Sequence, residues 1–290
     1  MKKGLIMEGG AMLGMFTCGV IDTLMENDIN FDGAIGISAG AVFGCNIKSK
    51  QIGRAIRYNK KYCNDPRYCS FRNLIKTGNL YGEEFCYHEV AEILDPFDHD
   101  AFENNPMEFI VGATDIKTGK CVYHKCVDGR EHDLKWMQAS ASMPIAAKPV
   151  DVDGYLLLDG GIADSIPFEY MESLGYDRNL IILTKPVGYR RKKGFESYLA
   201  KFALHKYPAA AKGMFERSIM YNRQMEELEK RERQKTSFVI RPPYALGISR
   251  TESDPNELER VYRIGVQEAE RRLDELKEFL DMVPVTVNKL

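Results

Sequence analysis

Two units of the same design lie within residues 4–47: an apolar strand, a glycine-rich turn and a helical pattern. Gly4-Leu5-Ile6-Met7 runs into Glu8-Gly9-Gly10-Ala11-Met12-Leu13-Gly14 and a helical stretch with Met15, Val20, Ile21 and Leu24. Ala34, Ile35 and Ile37 then lead into Gly36-Ile37-Ser38-Ala39-Gly40 and a helix through Val42, Phe43 and Ile47. Strand and helix go on alternating to about residue 185, which predicts the α/β class.

Ser38 occupies a tight strand-to-helix turn. Such a turn forces its central residue into a strained conformation and requires small residues two positions to either side, here Gly36 and Gly40. The hydroxyl is then exposed at the carboxyl end of the strand, and the helix turns its first amides toward any anion formed in acyl transfer. Taken alone, the string reads equally well as a plain glycine-rich turn. The earlier loop adds to it, because small residues let backbone N–H groups converge on an oxyanion. The same loop half-matches a dinucleotide fingerprint through Gly9 and Gly14, with Asp28 or Asp32 for the ribose. Downstream, the apolar strand Tyr155-Leu156-Leu157-Leu158 delivers Asp159-Gly160-Gly161 at its end. By itself Asp159 reads as a turn residue ahead of Asp164-Ser165-Ile166-Pro167.

The glycine loop, Gly-x-Ser-x-Gly and Asp-Gly-Gly, in that order, resemble the patatin-like phospholipase family. Gln138-Ala139-Ser140-Ala141-Ser142-Met143-Pro144 is similar to the Ala-Ser-x-x-x-Pro block that family carries ahead of its aspartate. The resemblance spans residues 4–185 and implies a three-layer α/β/α acyl hydrolase domain around a central, mostly parallel sheet. Residues 186–290 read as a C-terminal basic and amphipathic, mainly helical extension with a short strand near 237–241, and the segment from Ser237 through Gly247-Ile248-Ser249-Arg250 to the last helix resembles the C-terminal extension of a bacterial branch.

The resemblance implies a Ser-Asp dyad cleaving lipid carboxylic esters, phospholipid or lysophospholipid, without a histidine. Ser38 is then the nucleophile and Asp159 the base. The backbone of Gly9, Gly10, Ala11 and Met12 forms the oxyanion hole, and Gly14, Gly36, Gly40, Gly160 and Gly161 support the motifs. No cofactor and no metal are called for. A free aspartate, with a pKa of about 3.9, is a weak base at neutral pH, so the apolar strand behind Asp159 predicts burial and an upward shift. Two departures bear on rate. The family loop reads Gly-Gly-Gly-x-Arg/Lys-Gly, whereas this chain has Ala11 at the third glycine and Leu13 at the basic place. A weakly active or non-catalytic lipid-binding protein is the alternative they raise, and a nucleotide-binding protein is the other.

A triad of the α/β-hydrolase order would name Ser38, Asp159 and His205, but only one strand fits before residue 33, where that fold needs several. His88, His99, His124 and His132 show no metal spacing, and Asp95, Asp98, His99 and Asp100 read as an exposed turn after Pro96. Residues 50–105 read as helices and loops, a possible lid over the site. Glu108–Asp115 and Lys120–Lys125 read as strands around Lys117-Thr118-Gly119, His132–Ala141 as a helix stopped by Pro144, Asn179–Thr184 and Phe238–Ile240 as strands, and Glu257–Leu280 as one amphipathic helix.

With 290 residues, 44% of them apolar, the chain can bury a full core; its net charge of −2 by itself says nothing about partners, and no nucleic-acid partner is expected. The charge is uneven. Residues 190–235 hold 13 Lys+Arg against 6 Asp+Glu, beside Phe195, Tyr198, Leu199, Phe202, Leu204, Met214, Phe215, Ile219 and Met220. Such a segment either packs on its own domain or contacts an anionic membrane surface peripherally. Seven cysteines without a Cys-x-x-Cys spacing and no apolar leader predict a cytoplasmic protein, peripheral to the membrane's inner face if that contact forms. Oligomeric state is open.

Overall fold

The computed structural model describes residues 1–194, 198–199 and 202–281. Phe195 and residues 282–290 lie outside the described residues.

Eight strands form one mixed sheet: β1 (Lys2–Met7), β2 (Gly33–Ile37), β3 (Glu108–Asp115), β4 (Cys121–Cys126), β5 (Val150–Val152), β6 (Tyr155–Asp159), β7 (Tyr176–Ile182) and β8 (Ser237–Ile240). Their order is β5-β6-β3-β2-β1-β7-β8, with β4 also paired to β3. The strands β3, β2, β1, β7 and β8 run parallel to one another. The pairs β3–β4, β3–β6 and β5–β6 are antiparallel.

Parallel strands joined by helices are covered on both faces, so their residues are buried without alternation, as in β2, where every position is buried. Alternation still decides which face each side chain joins. Ile6, Ile35, Ile110, Ile181 and Val239 pack with Tyr221, Met225 and Leu228 on one face. Leu5, Met7, Ala34, Val111, Leu180 and Ile182 pack on the other with Phe16, Val20, Leu24, Leu258 and Val261. The first face is covered by a helix over Pro208–Arg233, the second by helices over Met15–Glu26 and Pro255–Arg271. Here the helices that matter are α1 (Met15–Glu26), α2 (Ala39–Val42), α3 (Glu131–Ser140), α4 (Pro208–Arg233), α5 (Pro255–Arg271) and α6 (Leu273–Asp281).

Residues beyond 185 therefore complete the same core. β8 extends the sheet beside β7, and α4 and α5 each cover a face. The single helix expected over Glu257–Leu280 is two, because Arg272 leaves helical geometry at φ −102°, ψ 4°. The first of them also starts earlier, with the Asp254 carboxylate accepting the Asn256 N–H at 2.8 Å and Pro255 in the first turn. Residues 50–105 form helices over 54–62, 71–77 and 99–104, a wide π-type helix over 84–94, and no strand.

One pairing places the site. β4 occupies one edge of β3 along Phe109–Thr114, so β2 and β6 share the other edge. β2 ends there with Ile37 opposite Gly112, and β6 ends with Asp159 opposite Ala113. Two strands running in opposite senses thus stop against consecutive residues of β3, and the residues at their ends are brought together.

Candidate active site

Ser38 stands at φ 55°, ψ −121°, a region non-glycine residues seldom enter, between the end of β2 and the start of α2. The strain is held by packing. A Cβ on Gly40 would lie 2.2 Å from the Met7 carbonyl oxygen, and one on Gly36 would lie 2.2 Å from the Gly40 oxygen, so only glycine fits where α2 crosses β1 and β2. On the other flank the Ser38 N–H donates to Ser140 Oγ at 2.9 Å, and the Ser140 hydroxyl donates to the Gly112 carbonyl at 2.6 Å. Ser140, the last residue of α3, thereby ties the elbow to β3. Ser140→Ala would leave a buried N–H and a buried carbonyl unpaired, and about 2 kcal/mol of stability is expected to be lost. Denaturant unfolding measures it; a change below about 0.5 kcal/mol would remove Ser140 from this role.

Asp159 is fully buried. Its N–H donates to the Ser142 carbonyl at 2.8 Å, its carbonyl accepts the Thr114 hydroxyl at 2.9 Å, and its Oδ1 accepts the Gly161 N–H at 2.8 Å. Oδ2 has no hydrogen-bond partner among the described residues, which leaves it as an acceptor in reserve beside Ser38. Burial raises the carboxyl above its ordinary range, opposed by the Arg217 guanidinium, the Ser38 hydroxyl and the Gly161 amide. This is the direction the apolar strand predicts. A Cβ on Gly160 would stand 2.2 Å from the Gly112 oxygen, which fixes the turn that carries the carboxylate past β3.

The glycine loop faces the same point. Gly9 touches the elbow, since a Cβ there would lie 2.7 Å from that of Ser38. Gly14 ends the short turn of helix over Ala11–Gly14 and packs against Phe43 and Ala39. Ala11 adopts φ 50°, the left-handed conformation in which a glycine would be unstrained. The Met12 N–H is donated, at 3.4 Å, to the Arg250 carbonyl, while the amides of Gly9, Gly10 and Ala11 have no acceptor among the described residues. Leu13 is buried in the core and lines the recess beside Ser38.

Ser38 opens onto a cavity of about 540 Å³, within the roughly 300–1,000 Å³ of small-molecule sites. Its walls are mainly apolar, with Val42, Phe43, Leu80, Val90, Leu134 and Met137 among them, and much of it comes from residues 54–97. The π-type helix over 84–94 contributes Val90 and Ala91.

The other sequence candidates separate. His205 is exposed, lines neither the cavity nor the recess, and sits against the Phe202 carbonyl, so no Ser-Asp-His triad forms. Asp28 and Asp32 precede β2 and lie at the amino end of the sheet, opposite the glycine loop, where no ribose bound at that loop would reach them. Asp95 pairs with Arg57 and Arg54, and Asp98 caps the helix over 99–104. His124, His132 and Asp133 do approach within 4.8 Å of one another, a cluster their spacing does not reveal. The Asp133 carboxylate is already taken by His124 and by the amides of Val127, Asp128 and Gly129. The basic helix α4 buries Met214, Tyr221, Met225 and Leu228 against its own domain. It also brings in Arg217, absent from the sequence candidates, whose Nη2 would lie 2.5 Å from a Cβ on Gly161.

Fold and turn together define an α/β protein with a strained serine between a strand and a helix. The chain belongs to the patatin-like phospholipase family, whose model matches residues 5–171, and a domain of unknown function, DUF6363, matches residues 207–281. It is 27% identical over 202 residues to the uncharacterized protein YjjU of Escherichia coli, covering 64% of this chain and 52% of that protein. It is 24% identical over 293 residues to the lysophospholipase NTE1 of Coccidioides immitis, covering 94% of this chain and 18% of that protein. The chain thus spans about half of the former and under a fifth of the latter. Among solved structures it is similar to VipD from Legionella pneumophila, with a TM-score of 0.46, 13% identity, and coverage of 94% of this chain and 67% of that one. No helix among the described residues is long and apolar enough to cross a membrane.

Proposed function

We propose that this chain is a serine acyl hydrolase that cleaves carboxylic esters of lipids through Ser38 and Asp159. The observation that carries the reading is a fully buried Asp159 whose Oδ2 has no partner among the described residues, beside a strained serine that opens onto an apolar cavity.

Ser38 Oγ attacks the ester carbonyl and its proton passes to Asp159 Oδ2. The tetrahedral oxyanion takes hydrogen bonds from the free amides of Gly10 and Ala11. Collapse expels the alkoxide, which recovers the proton from Asp159 and leaves an acyl group on Ser38. Water then attacks the acyl carbon, gives its proton to Asp159, and releases the fatty acid while the proton returns to Ser38. The acyl chain lies in the apolar cavity. Phe71, Ile145 and Leu199 line that cavity and are also exposed, with Ile75 and Phe202 exposed nearby in sequence. These side chains are where the protein meets a lipid surface.

A fluorophosphonate probe is expected to label the wild-type protein at Ser38 and to leave Ser38→Ala unlabelled. Absence of labelling, together with no hydrolysis of aryl esters or lysophospholipids, would defeat the reading. A second reading has one observation behind it, the left-handed Ala11 in the oxyanion loop. Saturable lipid binding without labelling would establish a carrier instead.

A further inference from the structure

A second recess, of about 50 Å³, shares Ser38 and Ala11 with the apolar cavity and is lined by Glu8, Asp159, Lys185, Arg191 and Arg217. Its volume suits a single small polar group rather than a chain. The charges on its wall are unbalanced. Lys185, Arg191 and Arg217 form no salt bridge among the described residues, and Arg217 Nε is buried without a hydrogen-bond partner. Arg191 is held over the Tyr221 ring at 6.0 Å and Lys185 over that of Tyr189 at 5.4 Å, so both are positioned by aromatic faces rather than by acids.

Two carboxyls, Glu8 and Asp159, face three cations and offset them only in part, Glu8 acting on Lys185 and Asp159 on Arg217. Glu8 is engaged at both oxygens, by the Tyr221 hydroxyl at 2.8 Å and the Thr184 amide at 2.6 Å, and burial raises its pKa. Asp159 is raised by burial as well. Burial, and repulsion from Arg191, bring Arg217 down to about 10, which still leaves it charged at neutral pH. Three partly buried cations that repel one another cost stability in the empty protein, and an anion carrying more than one charge is the ligand that reverses the cost. All three lie beyond residue 171, after β7 and on α4, outside the stretch that matches the family model.

We propose that this recess binds a phosphate group, and that it is the phosphate of the substrate's leaving group, held by Lys185, Arg191 and Arg217 while the acyl chain fills the apolar cavity. The inference rests on the hydrolase reading and narrows it to acyl esters that carry a phosphate close to the scissile bond. The C-terminal segment thereby supplies the cations missing from the glycine loop at Leu13.

The test separates the two readings by using a protein that cannot turn over. Ser38→Ala is titrated with inorganic phosphate and with glycerol 3-phosphate by calorimetry; saturable binding of both is expected, weakened about tenfold or more when Arg191→Gln is added. Arg217→Lys, which keeps the charge, is expected to bind more tightly than Arg217→Gln, a difference that mere loss of packing would not give. With the wild type, kcat/KM for a 1-acyl-glycerol 3-phosphate is expected to exceed that for the monoacylglycerol of the same chain, and Arg191→Gln is expected to shrink that ratio about tenfold. Failure of folded Ser38→Ala to bind phosphate overturns the site. Binding of free phosphate without any preference between the two lipids overturns the leaving-group role and assigns the recess to a free anion. Phosphate binding by a protein that hydrolyses no ester overturns the hydrolase reading while upholding the anion site.

Discussion

Asp159→Asn is expected to lower kcat/KM by roughly 10³- to 10⁴-fold, the scale on which serine hydrolases lose activity when an acid in the catalytic set is amidated. Asparagine keeps an oxygen for the Gly161 amide, so the turn after β6 retains its hydrogen bond. On the hydrolase reading it lacks the carboxylate that accepts the Ser38 proton. The same residue fixes the pH dependence. A carboxylate acts as a base only when ionised, and burial raises the folded pKa of Asp159 above the ordinary 3.8. On an uncharged ester, kcat/KM is therefore expected to rise with pH through an ionisation above that value, and to be lost as pH falls through it. Arg217 holds this pKa down, so Arg217→Gln is expected to move the acid limb to higher pH. A profile without a carboxylate ionisation, or full activity in Asp159→Asn, would remove Asp159 as the base.

The second large effect is structural. Gly40→Ala is expected to cost at least about 3 kcal/mol, a large share of the 5–15 kcal/mol typical of a domain. The added methyl would meet only backbone: the Met7 oxygen at 2.2 Å, the Met7 carbonyl carbon at 2.8 Å and the Glu8 oxygen at 3.0 Å. No side chain can swing aside, so α2 must lift from β1 and take Ser38 with it. Gly194→Ala is the control, because nothing among the described residues lies within 4 Å of its added methyl, and a change under about 0.5 kcal/mol is expected there. Denaturant midpoints for both variants check the contrast. Equal midpoints would show that the close approach at Gly40 is easily relaxed.

The parts of the site that were legible in the sequence are those whose chemistry is local. A strained serine needs glycine two residues to either side, and Gly36 and Gly40 announce it; Asp159 is announced by the apolar strand before it and the glycines after it. The alternation of strand and helix was equally readable, as was the turn around Lys117-Thr118-Gly119, where the Asp115 carboxylate accepts the amides of Lys117 and Thr118. Arg217 was not readable, because nothing near it in the chain signals that α4 carries it to Gly161. Nor was the commitment of the Met12 amide to Arg250, a contact across more than two hundred residues of sequence. One miss did have a local signal: Asp254-Pro255 is a helix start, a cap residue followed by proline, and it places the beginning of α5 ahead of Glu257. The break at Arg272 has no such signal, since leucines and charges keep their helical spacing across it.

Because β2 and β6 end on neighbouring residues of one β3 edge, the distance between Ser38 and Asp159 is inherited from the hydrogen-bond ladder. A slip of β6 by a single residue would turn Asp159 to the opposite face of the sheet and silence Ser38, even in a chain whose core was otherwise closed. If Ser38 is the nucleophile proposed above, reaction with a fluorophosphonate gauges registry. In a refolding mixture, the labelled fraction counts the molecules that aligned these two strands correctly, and compact misaligned ones go uncounted.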